Sequence, residues 1–184
     1  MKNTVRMFLW SIVVFSGCAT ATISSDYNRT VDFSKLKTYG WSSEQKPTGD
    51  LRFDDPDLRA VIKRSIETEL QAKGLQSAGA GQPDMLLKYY ITVEAKQERM
   101  SDYNPPNFNS RTGVVTMPTV GARNVAAFKY EDGTFVLDML DPTSGGILWR
   151  GSLEGMVDPG GTPEKRKARA PGAVAKVLAK FPPA

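Results

Sequence analysis

The feature that most constrains the fold is a run of alternating residues near the middle of the chain. From residue 87 to residue 96, apolar side chains occupy every second position, and the positions between them are mostly polar or charged. Successive side chains of a strand point to opposite faces of its sheet, so this run predicts a strand with one buried and one wet face. Antiparallel sheets commonly have one face in water. The run therefore favours an antiparallel sheet that is covered on one side only.

Two stretches have the spacing of helices. Asp55 suits an N-cap, Pro56 suits the first helical position, and Gly74 suits the position after the last turn. The apolar stripe between them consists of Leu58, Val61, Ile62, Ile66 and Leu70. A second helix is predicted to begin at Thr162-Pro163-Glu164, with a kink or restart at Pro171-Gly172. Its apolar stripe consists of Val174, Val177, Leu178 and Phe181.

The remaining apolar stretches predict short strands joined by turns. They cover residues 22–27, 38–41, 125–130, 135–139 and 147–156, with a further short strand possible at 114–117. Asp132-Gly133 is a hairpin signal between two of them. We expect an α+β fold with a single antiparallel β-sheet of about six strands, in the order β-β-α-β-β-β-β-α. The two helices are expected to pack on one face of the sheet.

The N-terminus has the pattern of a secretory signal. Lys2 and Arg6 precede an apolar run over residues 7–15, which is shorter than the roughly 20 residues that span a bilayer. Phe15-Ser16-Gly17-Cys18 follows and resembles the lipobox of bacterial lipoproteins, with Phe15 where Leu is usual. This predicts a signal peptide over residues 1–17, a lipidated N-terminus and short tether over 18–22, and one domain over 23–184.

The lipobox resemblance implies that signal peptidase recognises Phe15, Ser16 and Gly17 and that Cys18 becomes the lipidated residue. The implied modification is a diacylglyceryl thioether, usually with a further amide-linked acyl chain such as palmitate. Two alternatives remain open. Cleavage after Ala21, within the Ala19-Thr20-Ala21 sequence, would release a soluble periplasmic protein. Cys18 would otherwise be an ordinary buried thiol.

Composition excludes several classes of function. The chain has one Cys and no His, so His-based triads, His general bases and His metal ligands are absent, and no disulfide can form within the chain. The net charge is +4, and loss of Lys2 and Arg6 with the signal leaves (24 − 2) − 20 = +2, which gives no case for nucleic-acid binding. We predict a non-enzyme without metal or cofactor. A carboxylate-only enzyme acting on envelope glycans is the alternative.

Several short motifs together resemble the domain-of-unknown-function family numbered 4136. They are Asp26-Tyr27, Asp32-Phe33-Ser34, Lys37-Thr38-Tyr39 with Trp41, residues 133–138, residues 148–151 and residues 174–183. Members of that family are bacterial envelope lipoproteins with no assigned activity. The resemblance implies a lipid-anchored envelope protein that serves as a structural or binding module. Ala19 does not resemble the Asp retention signal of inner-membrane lipoproteins, which implies the periplasmic face of the outer membrane.

A candidate partner-binding loop covers residues 101–123. Its apolar residues follow no period that would bury them: Tyr103, Phe108, Val114, Val115, Met117 and Val120. Such side chains suit contact with an envelope protein or polymer. The alternative is an extra strand pair at the edge of the sheet. Partner identity and oligomeric state stay open.

Three further groups of residues are interpreted structurally. Asp50, Asp54, Asp55 and Asp57 lack calcium-loop spacing, and the last two suit a helix N-terminus. The basic group of Lys165, Arg166, Lys167 and Arg169 fits a solvated helix face or a contact with anionic lipid. Tyr27, Tyr39, Trp41 and Trp149 lie at strand positions and are assigned to the core.

Overall fold

The computed structural model describes residues 21–43, 47–101, 107–109, 114–116, 125–158 and 160–183. The strands are β1 (Thr22–Tyr27), β2 (Thr38–Trp41), β3 (Gln76–Ser77), β4 (Met85–Ser101), β5 (Asn107–Asn109), β6 (Val114–Thr116), β7 (Val125–Leu140) and β8 (Ile147–Met156). The helices are α1 (Pro56–Ala72) and α2 (Pro163–Leu178), with a 3₁₀ turn at Phe33–Lys35. The predicted α+β class is confirmed.

The main sheet has six strands in the order β1-β8-β7-β4-β2-β3, and β5 pairs with β6 in a separate two-stranded sheet. The first four strands of that order pair antiparallel, whereas β2 is parallel to both β4 and β3. The prediction of a purely antiparallel sheet is therefore wrong. Helix α1 lies between β2 and β4 in sequence and carries the chain back along the sheet, so β4 starts in the same direction as β2.

Asp84 fastens the parallel part of the sheet. Its Oδ2 accepts hydrogen bonds from the backbone N–H of Lys37 at 2.9 Å and from the N–H and hydroxyl of Thr38, each at 2.8 Å. These bonds stabilise the carboxylate and hold the pKa of Asp84 below its usual value. One side chain thus ties the start of β4 to the start of β2.

The predicted hairpin at Asp132-Gly133 is also wrong, because β7 runs through both residues as one strand. Asp132 and Gly133 pair with Glu94 and Val93 of the long strand β4 on one side. On the other side Gly133 pairs with Gly155 of β8. A Cβ at Gly133 would lie 2.9 Å from Cγ2 of Val157. The glycine permits a close approach and makes no turn.

Both helices lie side by side on one face of the sheet, as predicted. Asp55 caps α1 by accepting from the N–H of Asp57, and Thr162 caps α2 by accepting from the N–H of Lys165. Gly74 has a φ of 86° just after α1. The restart predicted at Pro171 is wrong, since α2 continues through it and buries Ala170, Val174, Val177 and Leu178.

The layer between helices and sheet is tightly filled at one end. Leu87, Met139 and Trp149 are register partners on β4, β7 and β8, and all three are fully buried. The ring of Trp149 packs edge-on against Phe181, with 5.4 Å between ring centroids. The four aromatics assigned to the core are buried or packed against it, as predicted.

The opposite face of the sheet carries charged strand residues, although Val136 and Asp138 on that face are buried. Lys88, Asp138, Arg150 and Asp26 form one row of alternating charge across four strands. Arg150 donates to both carboxylate oxygens of Asp138 at 2.6 and 2.7 Å. In agreement with the predicted wet face, the residues between the apolar positions of the alternating run are partly or fully exposed, namely Lys88, Tyr90, Thr92, Glu94 and Lys96. No helix among the described residues is long and apolar enough to cross a membrane.

Candidate functional site

A cavity of about 490 Å³ lies between the two helices and the sheet. Its floor is one row of register partners, Ile91 on β4, Phe135 on β7 and Leu153 on β8. The walls are lined by Leu58 and Ile62 of α1 and by Ala170, Ala173 and Val174 of α2. We call this space the helix–sheet cavity. Its volume falls in the range of about 300–1,000 Å³ that small-molecule sites occupy.

Small residues in both layers keep the cavity open. Gly133 and Gly155 are register partners in the row beside the floor, and both line the cavity. Two of the α2 residues that line the cavity, Ala170 and Ala173, contribute no more than a methyl group each. The same interface is filled by Trp149 and its large neighbours at the opposite end. The inward-facing side chains thus differ in volume along the helix–sheet interface. The cavity lies where small residues of the two layers line it.

Basic side chains of α2 border the cavity. Lys165, Arg166 and Arg169 line it together with a single carboxylate, that of Asp158. Nη1 of Arg169 lies 3.6 Å from Asp158 Oδ2, and the two side chains are 68% and 39% exposed, so this pair is weak. Lys165 makes no ion pair within the part of the chain that the structure describes.

Arg166 has the least solvated of the three cationic groups. Its Nη1 donates to the carbonyl oxygen of Gly161. Its Nε is buried and has no hydrogen-bond partner among the described residues. The local charge of the lining is therefore positive, with three cations against one acid.

A braced loop closes one end of the cavity with Phe53. Nε of Arg52 donates to both carboxylate oxygens of Asp50 at 3.0 and 3.1 Å, and its Nη1 reaches Glu131 on β7 at 2.6 Å. Hydrogen bonding to this guanidinium holds the pKa of Asp50 below its usual value. Asp54 adds bonds from the backbone N–H groups of Thr48 at 2.8 Å and Gly49 at 2.9 Å. These contacts fix the backbone on both sides of Phe53.

The first residue that the structure describes, Ala21, is also part of the cavity lining. It precedes β1 directly, and a Cβ at Gly155 would lie 3.7 Å from the Cβ of Ala21. The start of β1 therefore lies beside the cavity. Cys18 lies 21 − 18 = 3 residues earlier in the sequence.

The lining offers an apolar space and fixed positive charge, and it offers little for acid–base chemistry. Its one carboxylate, Asp158, has Arg169 beside it. Glycoside hydrolysis generally uses two carboxyl groups that face each other across the bond to be broken. Among the described residues no group of three or more His, Cys, Asp or Glu side chains could hold a metal ion.

Some of the predicted site residues are described by the structure and others are not. Those outside the described residues are Phe15, Ser16, Gly17, Cys18, Tyr103, Met117 and Val120. In the candidate loop, Phe108 belongs to β5 and pairs with Val115 of β6, and Val114 begins β6. A short strand is therefore present near residues 114–117, but it does not belong to the main sheet.

The carboxylates of the acidic group, Asp50, Asp54, Asp55 and Asp57, make hydrogen bonds or ion pairs within the fold. Asp50 and Asp54 brace the loop described above, and Asp55 caps α1. Asp57 lies 3.6 Å from Lys167, which joins the N-terminal parts of the two helices. The residues of the basic group therefore have different surroundings. Lys167 pairs with Asp57 of α1, whereas Lys165, Arg166 and Arg169 border the cavity.

The helix–sheet cavity was not predicted from the sequence. The sequence signal for it is a set of small residues, namely glycine at two inward strand positions, Gly133 and Gly155, and alanine at two positions of α2, Ala170 and Ala173. Each small residue alone is uninformative. Whether a small residue borders a cavity depends on the residues that lie opposite it in the other layer, and a single sequence does not show which residues those are.

The fold and cavity define a small α+β domain in which two helices cover one face of a mixed sheet around one apolar site. The chain belongs to the family described as Domain of unknown function (DUF4136), which it matches over residues 23–183. This confirms the family resemblance carried by the sequence motifs. Among curated proteins, none matches the chain significantly in sequence.

One solved structure shares the fold at low identity, and a second is similar to a lesser degree. A PDZ domain protein from Parabacteroides distasonis superposes with a TM-score of 0.53 at 18% identity, over 89% of this chain. The chain spans 36% of the length of that protein. PelC from Paraburkholderia phytofirmans, solved as a dodecamer, gives a TM-score of 0.46 at 13% identity, covering 87% of this chain and 96% of PelC. At 18% identity the likeness to the PDZ domain protein concerns the fold alone.

Proposed function

We propose that this chain is a lipid-anchored binding protein of the bacterial cell envelope and not an enzyme. Cys18 carries the lipid, the domain lies at the periplasmic face of the outer membrane, and the helix–sheet cavity is the binding site. The observation that carries the proposal is the cavity itself. It is apolar, has the volume of a ligand site, and is bordered by residues of both helices, the sheet and Ala21.

The N-terminal sequence supports the anchor. A basic start, a short apolar run and small residues directly before the only cysteine coincide within eighteen residues. Stable membrane attachment requires more than one acyl chain, which the lipoprotein modification supplies. Three residues extend over at most about 11 Å, so a lipid on Cys18 would keep the cavity within a short distance of the bilayer.

The missing chemical groups support a binding role. General acid–base catalysis near neutral pH falls most often to histidine, and the chain has none. The only thiol is assigned to the lipid. In the cavity one carboxylate lies among cations, where a pair of opposed acids would be needed for glycan hydrolysis.

A second surface belongs to the proposal. Residues 101–123 remain the candidate segment for contact with an envelope protein or polymer. The segment begins at Ser101, the last residue of β4, and ends before β7; the two strands pair with each other as far as Ser101 and Val125. The segment therefore emerges from one end of a two-stranded ribbon.

The anchor is tested by intact-mass measurement and membrane fractionation of the protein from its native cells. We expect a chain that starts at Cys18, carries the mass of a diacylglyceryl group and an acyl chain, and sediments with the outer membrane. The matched control, Cys18→Ser, should lose both the added mass and the membrane association. An unmodified N-terminus at Thr22 would refute the lipid, and sedimentation of the wild type with the inner membrane would refute the sorting.

A further inference from the structure

We propose that the helix–sheet cavity binds a single-chain amphiphile with an anionic headgroup, of the chemistry shared by fatty acids and lysophospholipids. The inference rests on the proposed function in one respect, namely that the cavity is the binding site. It adds the class of ligand, which neither the family nor the anchor implies.

The apolar lining suits an acyl chain. The floor of Ile91, Phe135 and Leu153 and the facing side chains of both helices offer hydrocarbon contacts. Met156 lines the cavity and is 70% exposed. An exposed thioether side chain is flexible and adapts to hydrocarbon of varied shape. A chain bound here would lose its contact with water, and each methylene removed from water strengthens binding by about fourfold.

The cations specify the charge of the headgroup. Lys165 has no ion pair with any residue that the structure describes, and the buried Nε of Arg166 lacks a hydrogen-bond partner there. Both residues lie in the first turns of α2, whose N-terminal end adds positive partial charge. A buried donor without a partner is unfavourable. A carboxylate or phosphate at this edge would place a countercharge beside Lys165 and Arg166, which both line the cavity.

The lipid on Cys18 fits this cavity less well than a free amphiphile. A diacylglyceryl thioether and an amide-linked acyl chain carry no negative charge, so they leave the cations unexplained. Their chains are also required in the bilayer, because one chain alone binds a membrane only marginally. The cavity is therefore assigned to a separate ligand.

The test uses the full chain with Cys18→Ser, which carries no lipid, and isothermal titration below the micellar concentration of each probe. The probes are dodecanoate, dodecanol and dodecylammonium, which share one chain and differ in charge. We expect dodecanoate to bind at least tenfold more tightly than dodecylammonium, and high salt to weaken dodecanoate alone. Octanoate and decanoate should bind progressively more weakly than dodecanoate, by about fourfold per methylene.

Paired variants locate the site. Ala173→Phe fills the cavity and should abolish binding, whereas Ala168→Phe on the exposed side of α2 should not. Ala173→Leu is the smaller alternative should A173F melt early. Lys165→Gln with Arg169→Gln should weaken dodecanoate by up to about tenfold and leave dodecanol unchanged. Lys176→Gln with Lys180→Gln removes the same charge from the other end of the helix region and should leave both unchanged.

The outcomes separate the two proposals. Equal affinity for the three headgroups would overturn the anionic ligand and leave the cavity as a binding site. Affinity that does not depend on chain length, or binding that persists in folded A173F, would overturn the cavity as the site and with it the binding role. A final comparison of dodecanoate with dodecanoyl lysophosphatidylglycerol identifies the source of the headgroup. Either order of affinity supports the proposal, and the tighter probe indicates a fatty acid or a phospholipid product.

Discussion

Gly151 lies against the ring of Trp149, and its missing side chain sets how closely α2 packs on the sheet. A Cβ here would lie 2.6 Å from Cγ1 of Val177 and 2.8 Å from Cζ2 of Trp149, closer than real Cβ atoms come. Gly151→Ala must therefore displace the ring or the helix. We expect the free energy of unfolding to fall by about 1–3 kcal/mol, measured by urea denaturation.

Gly172 provides the matched control for that substitution. It lies in α2, and a Cβ there would meet no atom within 4 Å. Gly172→Ala should raise the free energy of unfolding by about 0.5–1 kcal/mol, because alanine is the better helix former. Equal losses from the two substitutions would show that packing against Trp149 is not the cause.

At the residue scale, the features predictable from sequence are those whose partners lie nearby in the chain. The cap at Asp55 and the helix start at Thr162 are predictable because each side chain bonds an N–H two or three residues later. The glycine after α1, Gly74, follows from the same local logic. The role of Gly151 required knowledge of Val177, which lies 177 − 151 = 26 residues away, and no local pattern connects the two.

At the element scale, residues along the apolar stripe of α1 are predicted to contribute unequally to the free energy of unfolding. Ile66 is 0% exposed, whereas Ile62 is 3% exposed and borders the helix–sheet cavity. A side chain beside empty space has fewer packing partners to lose. Ile66→Ala should therefore cost about 2–5 kcal/mol and Ile62→Ala less, both measured as the free energy of unfolding. A larger loss at Ile62 would contradict the open cavity.

The strand errors also belong to the element scale. Asp132-Gly133 has the composition of a hairpin turn, yet β4 and β8 offer partners on both sides of it, and pairing decides the outcome. The parallel pairing of β2 with β4 was missed for a related reason. A short strand followed by a helix can pair parallel or antiparallel with the next strand, and the sequence alone does not show which. Periodicity predicted the strands and helices, whereas pairing depends on contacts distant in sequence.

At the scale of the whole molecule, the described domain has two separate surfaces. The helix–sheet cavity lies beside Ala21, on the side that a lipidated Cys18 would hold near a membrane. The second surface begins where β4 and β7 extend beyond β8, which pairs with β7 only as far as Asp132. Residues 96–101 and 125–130 then pair only with each other within the main sheet, and we call this pair the two-stranded arm.

The arm leads to the predicted partner-binding segment, so the two surfaces should be separable by truncation. Gln97 and Lys129 are register partners, and an Asn-Gly turn can join such a pair. Replacing residues 98–128 with Asn-Gly should leave the melting temperature within a few degrees of the wild type, because a lone two-stranded ribbon adds little stability. Dodecanoate binding should also persist, measured on the Cys18→Ser background.

A deeper truncation serves as the control for that experiment. Joining Thr92 to Thr134 by the same turn removes Asp132 and Gly133, which pair with Met156 and Gly155 of β8. It also removes Lys96, which lies 2.6 Å from Asp132 and 3.3 Å from Glu154. This variant should unfold at a clearly lower temperature and lose the ligand, because the floor of the cavity loses its neighbouring row. Equal destabilisation by the shallow truncation would assign residues 98–128 a structural role and remove the basis for treating them as a separate partner-binding surface.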